Sequence, residues 1–454
     1  MTESDLIATH QTWAEPCDAR LITPSDEAYE RDRRVWNGMI DRRPAGVLRC
    51  ASANDVRAGL SLARAAGLRV SVRGGGHNVA GNAVCDGGLM IDLSAMKDIH
   101  VNSAAREVIA GPGVLWGEFD AATQAHGLAT TGGQVSHTGI AGLTLGGGLG
   151  YLMGKHGAAC DNLLSVQIVT ADGAVLEASE EENPDLFWAV RGAGANFGVV
   201  TSLRYRLHPV GQMYGGLILH PRERAPELIA FHREFLKGTP DELDTTVGFL
   251  NSPEGVPLVG IVCVFTGDPK VGEHVLEPLR KFAQPLADLL RPTSYLEIQQ
   301  LFDAAVPIGD RYYWKSNFAN DLAPGLVDQL TQGAGEMPSP QSMILLFELK
   351  GAIQRVPKAA MAFDHRDSNF EMSIIAHWTS PADDAANVQW ARDVWTSAQP
   401  FVTSAVYANH MTADETPDRI RSAYGTQKLS RLRALKAEYD PHNVFCSNQN
   451  VAPA

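Results

Sequence analysis

The stretch VSVRGGGHNVAGNAVCDGGLMIDLS, residues 70–94, holds the residues best suited to chemistry. Gly74, Gly75 and Gly76 close a short apolar run and are followed at once by His77 and Asn78. Three glycines remove side-chain bulk and open backbone angles closed to other residues. Successive N–H groups in such a turn can cradle a phosphate. A histidine directly after it is placed to reach whatever the phosphate carries. A purely structural turn would use the same residues, so the motif needs company. A second candidate is the pair Glu348 and Lys350 in ILLFELKG, which share one face if the segment is a strand. That face is either salt-bridged or solvated, or it lines a pocket in which Glu348 is the better base. Tyr407 and Asn409 share a face in VYANH in the same way.

The elements that would position these residues can be followed along the chain. Residues 27–39 suggest a short helix. Residues 46–50 read as a strand, 52–66 as a helix with Asp55 near its start and Gly67 near its end, and 68–73 as the next strand. This β-α-β unit delivers the chain into the triple glycine. Short strands are expected over 90–94, 99–102 and 106–113, and a helix over 116–126. Residues 131–157 carry ten glycines in 27 positions and no charge before Lys155. Each glycine inside a regular element costs about 0.5–1 kcal/mol, so close backbone packing around a large flat ligand is the better reason for them. A hairpin spans 162–179 with Asp172 and Gly173 in its turn, and an alternating strand spans 199–207.

Composition shifts after Pro209. Beyond it, strands at 214–220, 245–250, 259–267, 311–318, 342–353 and 369–378 are interleaved with helices at 221–235, 271–290 and 383–397. This pattern fits a sheet covered on one face. The tail holds a helix over 430–439, stopped near Pro441, and an amide-rich end with Asn443, Asn448, Gln449 and Asn450.

At 454 residues the chain can bury more than one core. Hydrophobic residues are 44%, charged residues 20%, and the formal net charge is −14. That charge disfavours a general nucleic-acid or anionic-membrane partner. No run of about 20 apolar residues offers a membrane span. The N-terminal MTESDLIATHQTW has neither a basic leader nor a long apolar run, so no secretory signal is expected. Six scattered cysteines (Cys17, Cys50, Cys85, Cys160, Cys263 and Cys446) lack C-x-x-C pairing. They fit free thiols in a reducing, cytoplasmic setting, with no metal site.

Six segments in order carry a specific likeness: VRGGGHNVAG (72–81), DGGLMIDLS (86–94), GPGVLWGEF (111–119), GIAGLTLGGGLG (139–150), DLFWAVRGAGANFGVVT (185–201) and LKAEYDPHNVFCSNQN (435–450). Together they resemble the FAD-linked oxidases of the vanillyl-alcohol oxidase superfamily, in the berberine-bridge-enzyme-like branch. The resemblance implies an α+β chain with a two-subdomain PCMH-type FAD-binding domain over 38–209. An inserted α/β substrate domain, its antiparallel sheet covered by helices, would span 210–405. A tail over 406–454 would return to complete the first domain.

The resemblance also implies that FAD is bonded covalently through His77, with residues 74–76 on its pyrophosphate. Many relatives add a cysteine at the position that falls here on Val135. Valine cannot make that bond, so a single link is expected. Further cofactor contacts are implied for Arg73, Asn78, Gly81, Asn82, His137, Thr138, Gly139, Gly142, Gly146, Gly147, Gly148, Gly150, Asn196, Gly198, Val200, Asn448 and Asn450. The catalytic set would draw on Glu348, Tyr407, Asn409, Lys350 and Tyr151, with Tyr312, Trp314 and His377 as further lining residues. Where the family often has an aromatic residue after the Tyr-x-Asn segment, this chain has His410.

The expected reaction takes a hydride from a carbon beside a hydroxyl or amine of a small organic molecule. Electrons would pass to O2 to give H2O2, the small residues Thr138 and Gly139 suiting oxygen access. A flavin-dependent oxygenase or dehydrogenase of a natural-product pathway stays open, as does the choice between monomer and homodimer. A nicotinamide dehydrogenase would need a helix directly after its glycine motif, and GGGHNVAG leads into more strand. A non-catalytic metabolite-binding protein is the remaining rival.

Overall fold

A computed structural model describes residues 18–454. Cys17 and the N-terminal stretch read above lie outside the described residues. The first sheet has four strands in the order Arg20–Ile22, Gly46–Arg49, Leu89–Asp92 and Val70–Arg73, the last three parallel. The helix Ala53–Ala65 makes the crossover. Ser52 accepts from the Asp55 N–H in a capping box, and Gly67 at φ +63° ends the helix. The parallel pairing aligns Arg73 with Asp92, so the chain leaves the sheet edge directly into the glycine turn.

A second sheet of five antiparallel strands runs Ile99–Asn102, Glu107–Ala110, Val199–Arg206, Leu163–Val169, Val175–Ser179. A Cβ on Gly75 would meet the Gly139 backbone at 2.5 Å, so two chain turns touch where no side chain fits.

The third sheet has eight strands. Along its main path they run Ala287–Asp288, Met213–Pro221, Pro257–Phe265, Leu243–Asn251, Met343–Glu348, Phe370–Trp378 and Arg311–Ala319, and Arg291–Thr293 also pairs with Met213–Pro221. Its two faces differ as period-two alternation requires. Tyr313, Ile344, Leu346, Met372 and Ile374 pack on helices that include Ala225–Leu236, Pro324–Gly335 and Asp384–Ala398. Trp314, Met343, Leu345, Phe347 and Ile375 face the other way, as a roof over the first two sheets. No described helix is long and apolar enough to cross a membrane.

Several elements differ from the sequence reading, among them the strand expected over 342–353, which stops at Glu348 before the short helix Ala352–Arg355. The helix expected over 27–39 is one turn, Tyr29–Asp32, because Trp36 and Asn37 turn inward instead. Asn37 Nδ2 donates to the carbonyls of Val79 and Tyr312 at 2.8 and 2.9 Å, stitching the glycine turn to the roof. The helix expected over 271–290 stops at Lys281, and the edge strand Ala287–Asp288 follows. VYANH forms a 3₁₀ turn, Ala408–His410, rather than a strand.

The tail is fastened by a buried cation. Lys436 Nζ donates to Asn196 O at 2.7 Å and Phe445 O at 2.9 Å and pairs with Asp440 at 2.7 Å, both side chains fully buried. Lys436→Met leaves the Asp440 carboxylate buried without its partner. That is expected to cost about 3–5 kcal/mol, read as a fall in the urea midpoint.

Asp120 is a second buried polar link. Its Oδ2 accepts from Gln299 Nε2 at 2.9 Å across the helices Trp116–Gln124 and Tyr295–Gln299, while Oδ1 has no partner. Burial pushes this carboxyl up to about 8 from its ordinary 3.8. The folded chain therefore holds one proton more than the unfolded chain between about pH 4 and 8. Stability from this group is complete below that window and is lost as pH rises through it, at a slope approaching about 1.4 kcal/mol per pH unit. Asp120→Asn should flatten that slope in urea unfolding measured from pH 5 to 8.

Candidate active site and cofactor slot

Glycine turn, tail and roof enclose a cavity of about 310 Å³. At one end its wall is Val70, Leu93, Val199 and Phe445, with Ser447 and Asn448 from the tail. Gly74, Gly75, Gly76, Gly139, Gly142 and Gly146 line its length. At the other end it opens into a chamber under the roof, where Trp36, His77, Trp314 and His410 are found.

Most of the expected cofactor positions are on this wall: residues 74–76, His77, Asn78, Asn82, Val135, Thr138, Gly139, Gly142, Gly146, Asn196, Gly198, Val200 and Asn448. His137 is not part of the wall, yet its Nδ1 lies 3.1 Å from His77 Nε2. Desolvation, then the neighbouring His137, pushes His77 down to about 3, so its imidazole is neutral at ordinary pH.

Other expectations are corrected. Arg73 turns away from the slot. Its guanidinium pairs with Asp92 at 2.6 and 2.9 Å and donates to the carbonyls of Asp32 and Arg34, closing the sheet end rather than touching a ligand. Gly81 packs on Ile40. Gly147, Gly148 and Gly150 lie beneath the wall, against Phe363, Ala159 and the Gly132 carbonyl, so they serve chain packing. Asn450 lies beyond the wall, where the neighbouring Val451 N–H donates to Asn196 Oδ1.

Glu348 and Lys350 are not in the chamber. Phe347 faces it, so period two sends Glu348 to the helix side. There its carboxylate accepts from Thr245 Oγ1 at 2.8 Å and pairs with Lys350 at 3.3 Å. Lys350 lies past the strand end and donates to Thr239. Tyr151 is buried with Met213 and Tyr295. Tyr312 and His377 also miss the chamber. They extend a column of stacked rings: His77 on Trp36 at 4.2 Å, Trp36 on Tyr312 at 3.8 Å, Tyr312 on His377 at 4.5 Å.

Tyr407 and Asn409 do reach the wall. The Tyr407 hydroxyl accepts from Gly148 N–H and Asn409 Nδ2, each at 2.8 Å, and burial raises it well above the ordinary tyrosine range. A Cβ on Gly146 would meet Asn409 Oδ1 at 2.0 Å, so a bare glycine is needed beside this pair.

The strongest acid–base arrangement was not among the expected catalytic residues. Glu371 and Ser373 are fully buried on the roof face, opposite Phe347 and Leu345 in register. Glu371 Oε1 lies 2.9 Å from His410 Nδ1, and Ser373 Oγ donates to the same carboxylate at 3.0 Å. His410 lines the chamber, edge-on to Trp314 at 5.0 Å. The carboxylate fixes the tautomer with hydrogen on Nδ1, which leaves Nε2 as the acceptor for a ligand. The alternation of Glu371 and Ser373 against Met372 and Ile374 was the available signal in the sequence. Trp36 gave none.

The residues present fit FAD. The glycine turn offers backbone N–H groups with no side chain in the way. Trp314, Ser447 and Asn448 line the slot, and their Nε1, Oγ and Oδ1 atoms are buried with no partner within the protein. Polar atoms so placed at both ends suit a long ligand that is polar at both ends.

Residues 44–179 match the FAD binding domain family model and residues 406–452 the berberine and berberine-like model. An FAD-linked oxidoreductase of Dictyostelium discoideum is 30% identical over 433 residues, 94% of this chain and 93% of the relative. The (R)-6-hydroxynicotine oxidase of Paenarthrobacter nicotinovorans is 31% identical over 448 residues, 95% and 96% of the two chains. The crystal structure of 6-hydroxy-D-nicotine oxidase from Arthrobacter nicotinovorans superposes with a TM-score of 0.89 at 29% identity, covering 98% of this chain and all of that one. Slot, tail and sequence agree: this chain belongs to the FAD-linked oxidoreductases of the vanillyl-alcohol oxidase superfamily, in the berberine-bridge-like branch, and is an FAD-dependent enzyme of small organic substrates.

Proposed function

We propose that the protein is an oxidase that takes a hydride from a carbon bearing a hydroxyl or amine, with His410 as the base, O2 as the electron acceptor and H2O2 as product. The observation that carries this reading is the Glu371–His410 pair at the chamber wall. A substrate O–H or N–H donates to His410 Nε2 and gives up its proton there. The buried Glu371 carboxylate, held by Ser373, stabilises the imidazolium that forms. A bound flavin would supply the hydride acceptor and the path for the electrons to oxygen. Val135, Thr138 and Gly139 keep part of the wall small, which suits access by O2. The relative that acts on 6-hydroxynicotine is named an oxidase, which also favours this reading.

FAD is held through His77 alone. The ring is neutral and so has a lone pair for bonding, and Trp36 and His137 hold it in place. Val135 occupies the wall where a cysteine would supply a second bond. Cys85, Cys160, Cys263 and Cys446 are free, which fits a reducing compartment. The test is oxygen uptake and peroxide release by the purified yellow protein over secondary alcohols and amines. One peroxide per product is expected. Turnover with a dye acceptor and none with O2 would replace oxidase by dehydrogenase, and incorporation of labelled oxygen into product would replace it by oxygenase.

A further inference from the structure

The wall of the cavity carries no Asp, Glu, Lys or Arg among the described residues. Glu371 sits behind His410 and is already engaged. The roof of the chamber is hydrocarbon and indole: Trp314, Met343, Leu345, Phe347 and Ile375. His410 interrupts it, and the Trp314 indole N–H is buried beside the cavity with no acceptor in the protein.

These facts bear on what can enter. A carboxylate or ammonium ion would leave water for a wall with no counter-charge, at a cost of several kcal/mol. A sugar would bring many hydroxyls to a face with few partners, each unmet one costing about 1–3 kcal/mol. A flat apolar ring loses nothing there and gains contact with the roof. We infer that the substrate is a neutral, flat ring compound whose oxidised carbon carries a hydroxyl or uncharged amine facing His410, and which presents a hydrogen-bond acceptor to the Trp314 N–H. This rests on the reading that the chamber is where substrate is oxidised.

The experiment uses the flavin-loaded protein and follows the shift of its visible spectrum on ligand addition, which reports binding without turnover. The probes are 1-tetralol, its ring-oxygen counterpart 4-chromanol, cellobiose and mandelate. The ring alcohols are expected to bind at least about 100-fold more tightly than cellobiose or mandelate. Trp314→Phe should weaken 4-chromanol by about 5- to 10-fold, the loss of one hydrogen bond, and leave 1-tetralol within about twofold. The same titrations on His410→Phe separate the two readings: if that variant still turns over but the binding order holds, the base assignment fails and the substrate class stands. Cellobiose or mandelate binding as tightly as 1-tetralol, or no ring alcohol binding at its solubility limit, overturns the substrate class. An equal effect of Trp314→Phe on both ring alcohols overturns the acceptor contact.

Discussion

His410→Phe is expected to lower kcat by about 10²- to 10⁴-fold, the usual contribution of a placed general base, with KM little changed. Phenylalanine keeps a ring against Trp314 and removes the chamber histidine whose second nitrogen is held by a buried carboxylate. Glu371→Gln should cost less, about 10- to 100-fold, because the imidazole stays in place while the charge that steadies its protonated form is gone. Anaerobic stopped-flow reduction of the bound flavin isolates the step. Tyr407→Phe provides the contrast. The Tyr407 oxygen already accepts two hydrogen bonds and burial holds its proton firmly, so it is a poor base at neutral pH. If Tyr407→Phe stops reduction while His410→Phe leaves it intact, the roles are reversed.

His77→Ala is expected to move the yellow colour from the pellet to the supernatant on acid precipitation. In the parent protein nearly all of it should stay with the chain. Trp36 stacks on one side of the His77 ring and His137 bonds its edge, so the truncation would remove the proposed covalent link without removing the slot. The variant should still take up FAD, because the residue 74–76 turn and the tail are unchanged. Colour retained in the pellet would mean a second attachment, and the reading of Val135 would fall with it.

Local signals carried much of this in the sequence. The helix after Ser52 with Asp55 near its start, the glycine turn and the strand over 369–378 are short-range features, and all three appear in the structure. Fold class and family followed from segments that keep their order along the chain. The catalytic assignment failed at Glu348 for a physical reason. A charged residue in an apolar strand can belong to either face, and only the register of Phe347 over the chamber tells which. His410 was noticed as a departure, but its partner Glu371 lies 39 residues earlier, on a different element. Trp36 acts across an even longer gap, reaching Tyr312 and Val306. Contacts of that kind leave no periodic trace.

The uncharged wall has a consequence for how the cofactor is captured. FAD brings two phosphate charges to a molecule whose own formal charge is −14, so dissolved ions should speed its arrival by weakening long-range repulsion. Seated at the residue 74–76 turn, the diphosphate would meet peptide dipoles rather than lysine or arginine, and mobile ions would have little there to weaken. Loading of His77→Ala apoprotein should therefore quicken with sodium chloride while the release rate stays nearly flat.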